Sequence, residues 1–227
     1  MTKRTFDIVV GFVVASACAP VIVVLAFGTA MSLRAWPFFV QRRVGRGNRD
    51  FRIVKIRTLP RSAPAYADKY TIAAVDTTRY CRLLRHLHLD ELPQLFLVPG
   101  GRMSLVGPRP EMRHLHEQLE PTFAAVRTSV RPGCSGLWQV GRETGHLIGE
   151  GPAYDLVYVA NASVRLDLWV LWRTVCTMLH LGQPRTIGDI PAWALRRHVR
   201  RGEVIDLRPA QSIDPAESDV VADLRNP

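Results

Sequence analysis

The sequence predicts an α/β, mostly helical membrane protein: an N-terminal re-entrant helix-break-helix carrying a compact cytosolic domain with interfacial amphipathic helices. Three observations carry that expectation. Residues Ile8 to Leu33 hold no charged side chain, a run long enough for the ~20 apolar residues a membrane helix needs. Beyond it, apolar periodicity of two appears only briefly and gives way to helical spacing. The 227 residues suffice for one ordinary domain and not comfortably for two.

Composition narrows the class before any motif is read. The formal net charge is +10, and Lys3, Lys55 and Lys69 are the only lysines, so arginine supplies nearly all the positive charge. The guanidinium fork matches phosphate, which leaves phosphates, nucleic acid or anionic lipid as partners. Cys18, Cys81, Cys134 and Cys176 are widely spaced with no C-x-x-C pair. Neither a zinc site nor a disulfide framework fits, and a reducing setting does.

The first element, residues 1–36, is the apolar run. Pro20 near its middle removes a backbone hydrogen bond and predicts a break. Lys3 and Arg4 precede the run, and Arg34, Arg42, Arg43, Arg46 and Arg49 follow it. Positive flanks favour the cytoplasmic side, so both ends are drawn to one face. A re-entrant hairpin satisfies both constraints, with Ser16 as one source of partners for the freed backbone. A simple crossing and a cleaved signal peptide ending near Ala15-Ser16-Ala17 are the rival readings.

A second unit, residues 37–183, opens with a strand pair. Gly45 and Gly47-Asn48 supply turn chemistry, and Phe51 to Arg57 alternates apolar and basic residues, predicting one apolar and one basic face. That basic face is either solvated against acidic headgroups or sets Lys55 or Arg57 on a phosphate. Pro60 to Thr78 reads as loop with room for one short helix. Leu83, Leu84, Leu87, Leu92 and Leu95 then recur near helical spacing around Asp90-Glu91-Leu92-Pro93. Asp90 suits an N-cap and Glu91 a first-turn acid, with Pro93 inside the first turn. The same geometry has a chemical reading: the helix dipole would hold a carboxylate ionised, able to attack phosphorus or hold a metal, with Arg79, Arg82 and Arg85 gathering phosphates.

Gly107-Pro108-Arg109-Pro110 fixes the backbone on both sides of Arg109, presenting its guanidinium rigidly to a phosphate or simply stiffening a turn. Arg131 to Arg142 is a glycine-punctuated loop that matches neither G-x-G-x-x-G nor the P-loop pattern. Val164 to Leu181 reads as a helix with a broad apolar surface, buried or at a membrane interface. Residues 184–208 form a basic extension in which Ile190 to Arg201 reads as an amphipathic helix suited to an anionic bilayer. Residues 209–227 are acidic, nearly free of large apolar groups, and expected to be disordered.

Several of these stretches together resemble one known family, the bacterial sugar transferases, small monotopic polyprenyl-phosphate phosphoglycosyl transferases. The resemblance covers roughly Lys3 to Leu181. It rests on Lys3-Arg4 with Phe6-Asp7, Gln41 to Gly45 continuing through Phe51 to Thr58, Leu89 to Leu95, Met103 to Glu111, Arg131-Pro132-Gly133, and Asp155 with Tyr158 ahead of Asp167. It implies a catalytic domain at the cytoplasmic face of the bacterial inner membrane. The implied reaction is Mg2+-dependent and moves a phosphosugar from a UDP-sugar to polyprenyl (undecaprenyl) phosphate. By the same resemblance Asp90 is the nucleophile and a metal ligand. Glu91 assists, through the acceptor's proton or the metal. Lys55 and Arg109 match positions that serve phosphate and nucleotide binding, Arg85 one that meets the lipid phosphate, and Asp155 a further active-site acid; Arg57 and Arg142 are further substrate-binding candidates. Membrane lipid is a partner, nucleic acid is not, and a homodimer is compatible.

The chain departs from the pattern in places. Ala19-Pro20 stands where many members have Ser-Pro, and Arg102 where many carry an acid. Gly141-Arg142 is one residue tighter than usual, and His86 and His88 flank the acidic pair in place of common Lys, Thr or Ser. Two competing functions remain on sequence alone: a membrane-anchored module binding phosphate or anionic lipid, and a catalytically silent scaffold in which Asp90 and Glu91 only cap a helix.

Overall fold

A computed structural model describes residues 2–64, 75–141, 148–179, 181, 183 and 185–196. The chain is mostly helical with two small sheets. Helix α1 runs from Lys3 to Leu33 without interruption, with Pro20 inside it. The break expected at Pro20 is therefore not a gap in the helix. A proline removes one hydrogen bond, and the turns on both sides continue.

One narrow stripe of α1 is buried: Phe6, Asp7, Gly11, Ala15, Ile22, Ala26 and Thr29. Their spacing is helical, and small residues dominate so that the globular part can approach closely. A Cβ on Gly11 would lie 2.7 Å from Val98 Cγ1, and one on Gly28 would lie 2.5 Å from the Tyr80 hydroxyl. The remaining surface exposes Val9, Phe12, Val13, Val23, Val24 and Phe27. Both ends of α1 are tied to the same body. Near its C-terminal end, Tyr80 donates to Leu25 O at 2.9 Å and Ser32 bonds Thr78 at 2.7 Å.

Its N-terminal end enters a buried polar cluster. Lys3 Nζ donates to Asp167 Oδ2 at 2.5 Å, Ser104 Oγ at 2.9 Å and Val106 O at 3.2 Å. Ser104 donates in turn to Asp7 at 2.6 Å, and Leu105 N donates to the other Asp7 oxygen at 3.1 Å. The Tyr158 hydroxyl bridges Val106 O at 2.6 Å and Asp167 Oδ1 at 2.9 Å.

Strands β1 (Phe38–Val44) and β2 (Asp50–Ile56) pair antiparallel, Phe39 opposite Lys55 and Arg42 opposite Arg52. The expectation of one apolar and one basic face fails here. The consecutive pair Ile53-Val54 breaks the alternation, so Phe51, Ile53 and Lys55 share one face while Arg52, Val54 and Ile56 share the other. Strands β3 (Ser104–Val106) and β4 (Gly133–Ser135) pair parallel.

Helix α2 (Arg79–His86) is capped by Thr78 and precedes a 3-10 segment, Leu89–Leu97. Helices α3 (Arg113–His116), α4 (Pro121–Thr128) and α5 (Leu137–Val140) are short. The core gathers where α6 (Ala153–Asn161) and α7 (Val164–Met178) meet β3: Val106, Leu137, Val157, Tyr158, Leu166 and Val170 are buried together. Helix α7 buries Leu166 and Val170 and exposes Leu168, Trp172 and Val175.

The amphipathic helix expected from Ile190 is not formed over the described residues. Pro191 precedes a single 3-10 turn, Ala192–Ala194, and Ile190 and Ala194 are buried rather than outward-facing. Arg197 to Arg201 and the acidic tail lie outside the described residues.

The Lys3 cluster yields the first prediction. Asp167 is fully buried and Lys3 is the cation that pairs with it, itself about a quarter exposed. Lys3→Met should destabilise by about 2 kcal/mol, less than the 3–5 kcal/mol of a fully buried broken pair, a fall in Tm of ~4–8 °C. Asp167→Asn added to Lys3→Met should recover more than half of that loss. No recovery in thermal unfolding of the solubilised protein would contradict the pairing.

Candidate active site

Strand β2 lies against the 3-10 segment, and its mixed inward face has a chemical consequence. Lys55 shares that face with buried Ile53, so its ammonium is carried inward and donates to Glu91 Oε1 at 2.7 Å. Arg109 donates to the same oxygen at 3.1 Å. Glu91 is only 18% exposed and Lys55 17%, so this pair interacts with little screening.

Arg109 is held by backbone crossing. Gly107 N donates to Ser135 O at 2.9 Å and Gly133 N to Pro108 O at 3.0 Å. A Cβ on Gly107 would fall 2.5 Å from Arg131 O, so only glycine permits this approach. Pro108 and Pro110 then leave Arg109 little freedom, as the sequence predicted. Behind it, Arg127 on α4 donates to Arg109 O at 2.7 Å and to Asp155 at 3.2 Å.

The acidic pair is not seated as a helix cap. His88, at φ 54 and ψ 20, reverses the chain after α2 and takes the capping position without a side-chain bond. Asp90 and Glu91 therefore sit inside the first turn, and Pro93 is accommodated by the tighter 3-10 winding. The far end of the segment is capped by α1: Arg4 donates to Val98 O at 3.0 Å and Pro99 O at 3.2 Å.

The two adjacent carboxylates have opposite electrostatics. Burial pushes Asp90 up to about 6, with the Glu91 charge adding to the rise and Lys55, Arg109 and Arg85 opposing it. Desolvation thus outweighs the helix dipole at Asp90, though a carboxyl at about 6 is still mostly ionised at neutral pH. Burial works against Glu91 too, but Arg109 and Lys55 outweigh it and hold this carboxyl well below the usual range. Asp90 carries no hydrogen bond or ion pair among the described residues. It is the free carboxylate of the site, and it faces three cations.

Of the residues singled out from sequence, the structure gathers Asp90, Glu91, Lys55 and Arg109, with Arg85 near enough to act on Asp90. Arg57 is placed elsewhere. Its guanidinium donates to Trp36 O at 3.0 Å and Phe38 O at 3.5 Å and stacks on Phe39, closing the mouth of the hairpin. Asp155 is 2% exposed, locked to Arg127, and pushed up by burial. It reaches the site only through Arg127 and the Arg109 carbonyl. Arg142 lies outside the described residues.

Sequence reasoning passed over Arg127 because a single arginine late in a short helix carries no pattern. Phe123 at i−4, over whose ring it stacks, is the one local signal. Among the described residues no three of His, Cys, Asp and Glu are grouped as a metal site. Removing Asp155 leaves a guanidinium buried at 3% exposure, so Asp155→Ala should cost ~3 kcal/mol. Asp155→Asn should cost less, its amide oxygen still accepting from Arg127. Thermal unfolding in detergent checks both, and an unchanged midpoint for the alanine variant would contradict the buried pair.

Comparison with known proteins agrees with this arrangement of motifs. Residues 1–181 match the family described as bacterial sugar transferase. An Aeromonas hydrophila protein named UDP-N-acetylgalactosamine-undecaprenyl-phosphate N-acetylgalactosaminephosphotransferase is 34% identical over 78% of this chain and 43% of its own length. A Caulobacter vibrioides UDP-glucose:undecaprenyl-phosphate glucose-1-phosphate transferase is 34% identical over 79% of this chain and 70% of its own. The exopolysaccharide production protein ExoY of Sinorhizobium fredii is 29% identical, over 77% and 84%. The chain thus spans less than half the length of the Aeromonas relative and most of the other two. Match and motifs coincide from the Lys3 cluster to α7, and the chain belongs to the bacterial sugar transferase family.

Proposed function

We propose that the chain transfers a phosphosugar from a UDP-sugar to polyprenyl phosphate, through a covalent intermediate on Asp90. The observation that carries this is the contrast within the dyad: Asp90 unpartnered and raised to about 6, Glu91 clamped and ionised between Lys55 and Arg109. An Asp90 oxygen attacks the β-phosphorus of the donor, the bond to the bridging oxygen breaks, and UMP leaves with the electron pair. A phosphate oxygen of the polyprenyl phosphate then attacks the same phosphorus and releases the Asp90 carboxylate. The product is polyprenyl-diphosphate-sugar, the first membrane step of a surface glycan. The names of the relatives support donor and acceptor classes of this kind.

Glu91 fits an organising role better than proton transfer. A general base works best with a pKa near the operating pH, and Glu91 is held far below it by Arg109 and Lys55. It fixes both cations where the donor's phosphates would lie, and Arg85, close enough to act on Asp90, is left for the lipid phosphate. The donor set also fits Mg2+ without a dedicated cage. Such ions take one or two carboxylates and fill the shell with substrate phosphates and water, and Asp90 is the carboxylate left without a partner. When bound, the ion neutralises charge developing on the transferring and departing phosphates.

The anchoring geometry supports a helix that enters and leaves by the cytoplasmic leaflet of the inner membrane. A 31-residue helix is ~46 Å long at 1.5 Å per residue, more than a bilayer's hydrocarbon thickness. Yet Lys3 at one end and Ser32 at the other bond to the same globular body, which a straight crossing would have to carry through the lipid. Single cysteines at Thr2 and Arg34 should therefore both react with an impermeant maleimide from the cytoplasmic side only. Labelling of the two from opposite sides would establish a crossing.

UMP release from a panel of UDP-sugars, with magnesium and undecaprenyl phosphate, tests the reaction. Wild type should release UMP and a folded Asp90→Asn should not; an equally active variant would sink the nucleophile and favour a phosphate-binding module or scaffold. In single-turnover UMP release, the rate should fall about tenfold per unit below about pH 6, the pKa of Asp90, because the protonated carboxyl cannot attack. A profile flat from pH 5 to 8 would exclude Asp90 as the titrating nucleophile.

A further inference from the structure

Outside the dyad, a second concentration of arginine remains without a role. A cleft of about 370 Å³ is lined by Arg42, Asp50, Phe51, Arg52 and Arg102. Arg42 and Arg52 stand directly opposite each other across the antiparallel pair, an arrangement of like charges that disfavours the sheet unless an anion lies between them. Arg102 comes to the same cleft from the loop before β3. All three are exposed, and none has an ion pair or a side-chain hydrogen bond among the described residues. The one carboxylate in the wall, Asp50, is engaged by Arg113 at 2.5 Å. Three uncommitted guanidiniums from two strands and a loop thus line one volume.

From this convergence we infer a phosphate-binding site, separate from the dyad, that takes a phosphomonoester or phosphodiester anion. Guanidinium forks bind phosphate oxygens in pairs, and the cleft has room for a phosphate with a small substituent such as glycerol. Two sources present that chemistry: an anionic lipid headgroup and a soluble phosphate. The position is open to headgroups. Arg4, at the start of apolar helix α1, bonds Val98 O and Pro99 O, a few residues before Arg102 in the chain. The site is thus near the polar end of the membrane helix, where an anionic leaflet attracts arginine.

The test is calorimetric titration of the full chain in neutral detergent at fixed ionic strength. The probes are glycerophosphoglycerol, which is the deacylated headgroup of phosphatidylglycerol, inorganic phosphate, and glycerophosphocholine as a zwitterionic control. Three proteins are compared: wild type, the double variant Arg52→Gln/Arg102→Gln, and Arg165→Gln, an exposed arginine on α7. Wild type should bind one or both anions saturably and the control at least tenfold more weakly. The double variant should lose at least tenfold in affinity and Arg165→Gln less than twofold. Any binding at Lys55 and Arg109 is common to all three proteins and does not enter the difference. Preference for the diester identifies a lipid headgroup, and preference for inorganic phosphate a soluble ligand. The double variant should unfold no earlier than wild type, since like-charge repulsion is removed. Absence of saturable binding in wild type, or equal affinity in wild type and the double variant, overturns the site.

Discussion

The structure depends on burying the start of an apolar helix against a polar cluster. Lys3 alone among the described cations reaches Asp167, and it does so while bonding Ser104 and Val106 O, the two ends of β3. Ser104 passes the connection to Asp7, one turn along α1, and Tyr158 closes it from α6. Two carboxylates and one ammonium leave a deficit of positive charge, consistent with burial driving the Asp167 carboxyl upward despite Lys3. Such a cluster is poor stabilisation compared with apolar packing of similar volume. What it provides is registration: an outward-facing greasy helix could slide along its groove, and a polar cluster with several fixed partners permits one position.

Registration matters because the adjacent residue, Arg4, caps the far end of the segment that bears Asp90 and Glu91. The position of α1 is thereby tied to the dyad through one short, proline-containing 3-10 segment. That segment holds its polar start beside Lys55 and Arg109, while Phe96 near its end is half exposed. Under the proposed reaction, a donor nucleotide and a lipid phosphate would meet across this change of polarity.

Much of this was legible in the sequence, and the failures share a cause. The apolar run, the turn at Gly45 to Asn48, the stiff Gly107-Pro108-Arg109-Pro110 and the helix from Val164 are local, and local chemistry fixed them. Lys55, Glu91 and Arg109 could be named from motifs, but their convergence on one Glu91 oxygen is a tertiary fact. The pairing of Asp155 with Arg127 is not visible in sequence, because an acid in an ordered motif reads the same whether it faces substrate or a buried arginine. At Asp90 the helix position is visible in sequence, while the desolvation that raises its carboxyl is not. The hairpin's faces were misread where Ile53-Val54 interrupts the alternation, a two-residue detail that decides where Lys55 points.

That detail also bears on how the two carboxylates divide their work. Had the hairpin kept a pure basic face outward, Lys55 would be solvated and worth little to a neighbouring acid. Sharing the inner face with Ile53 costs the ammonium hydration, which Glu91 restores at 2.7 Å. Glu91 is then committed through Oε1 to both cations. Asp90, one residue away, inherits the opposite condition: nearly the same burial, the same cations at greater reach, and no bond of its own. A carboxylate with a raised pKa is a more basic, hence stronger, nucleophile once ionised, and approach of cations or substrate-bound magnesium would favour that ionised form. Under the proposed reaction, the dyad works because its two members are electrostatically unequal before any substrate arrives.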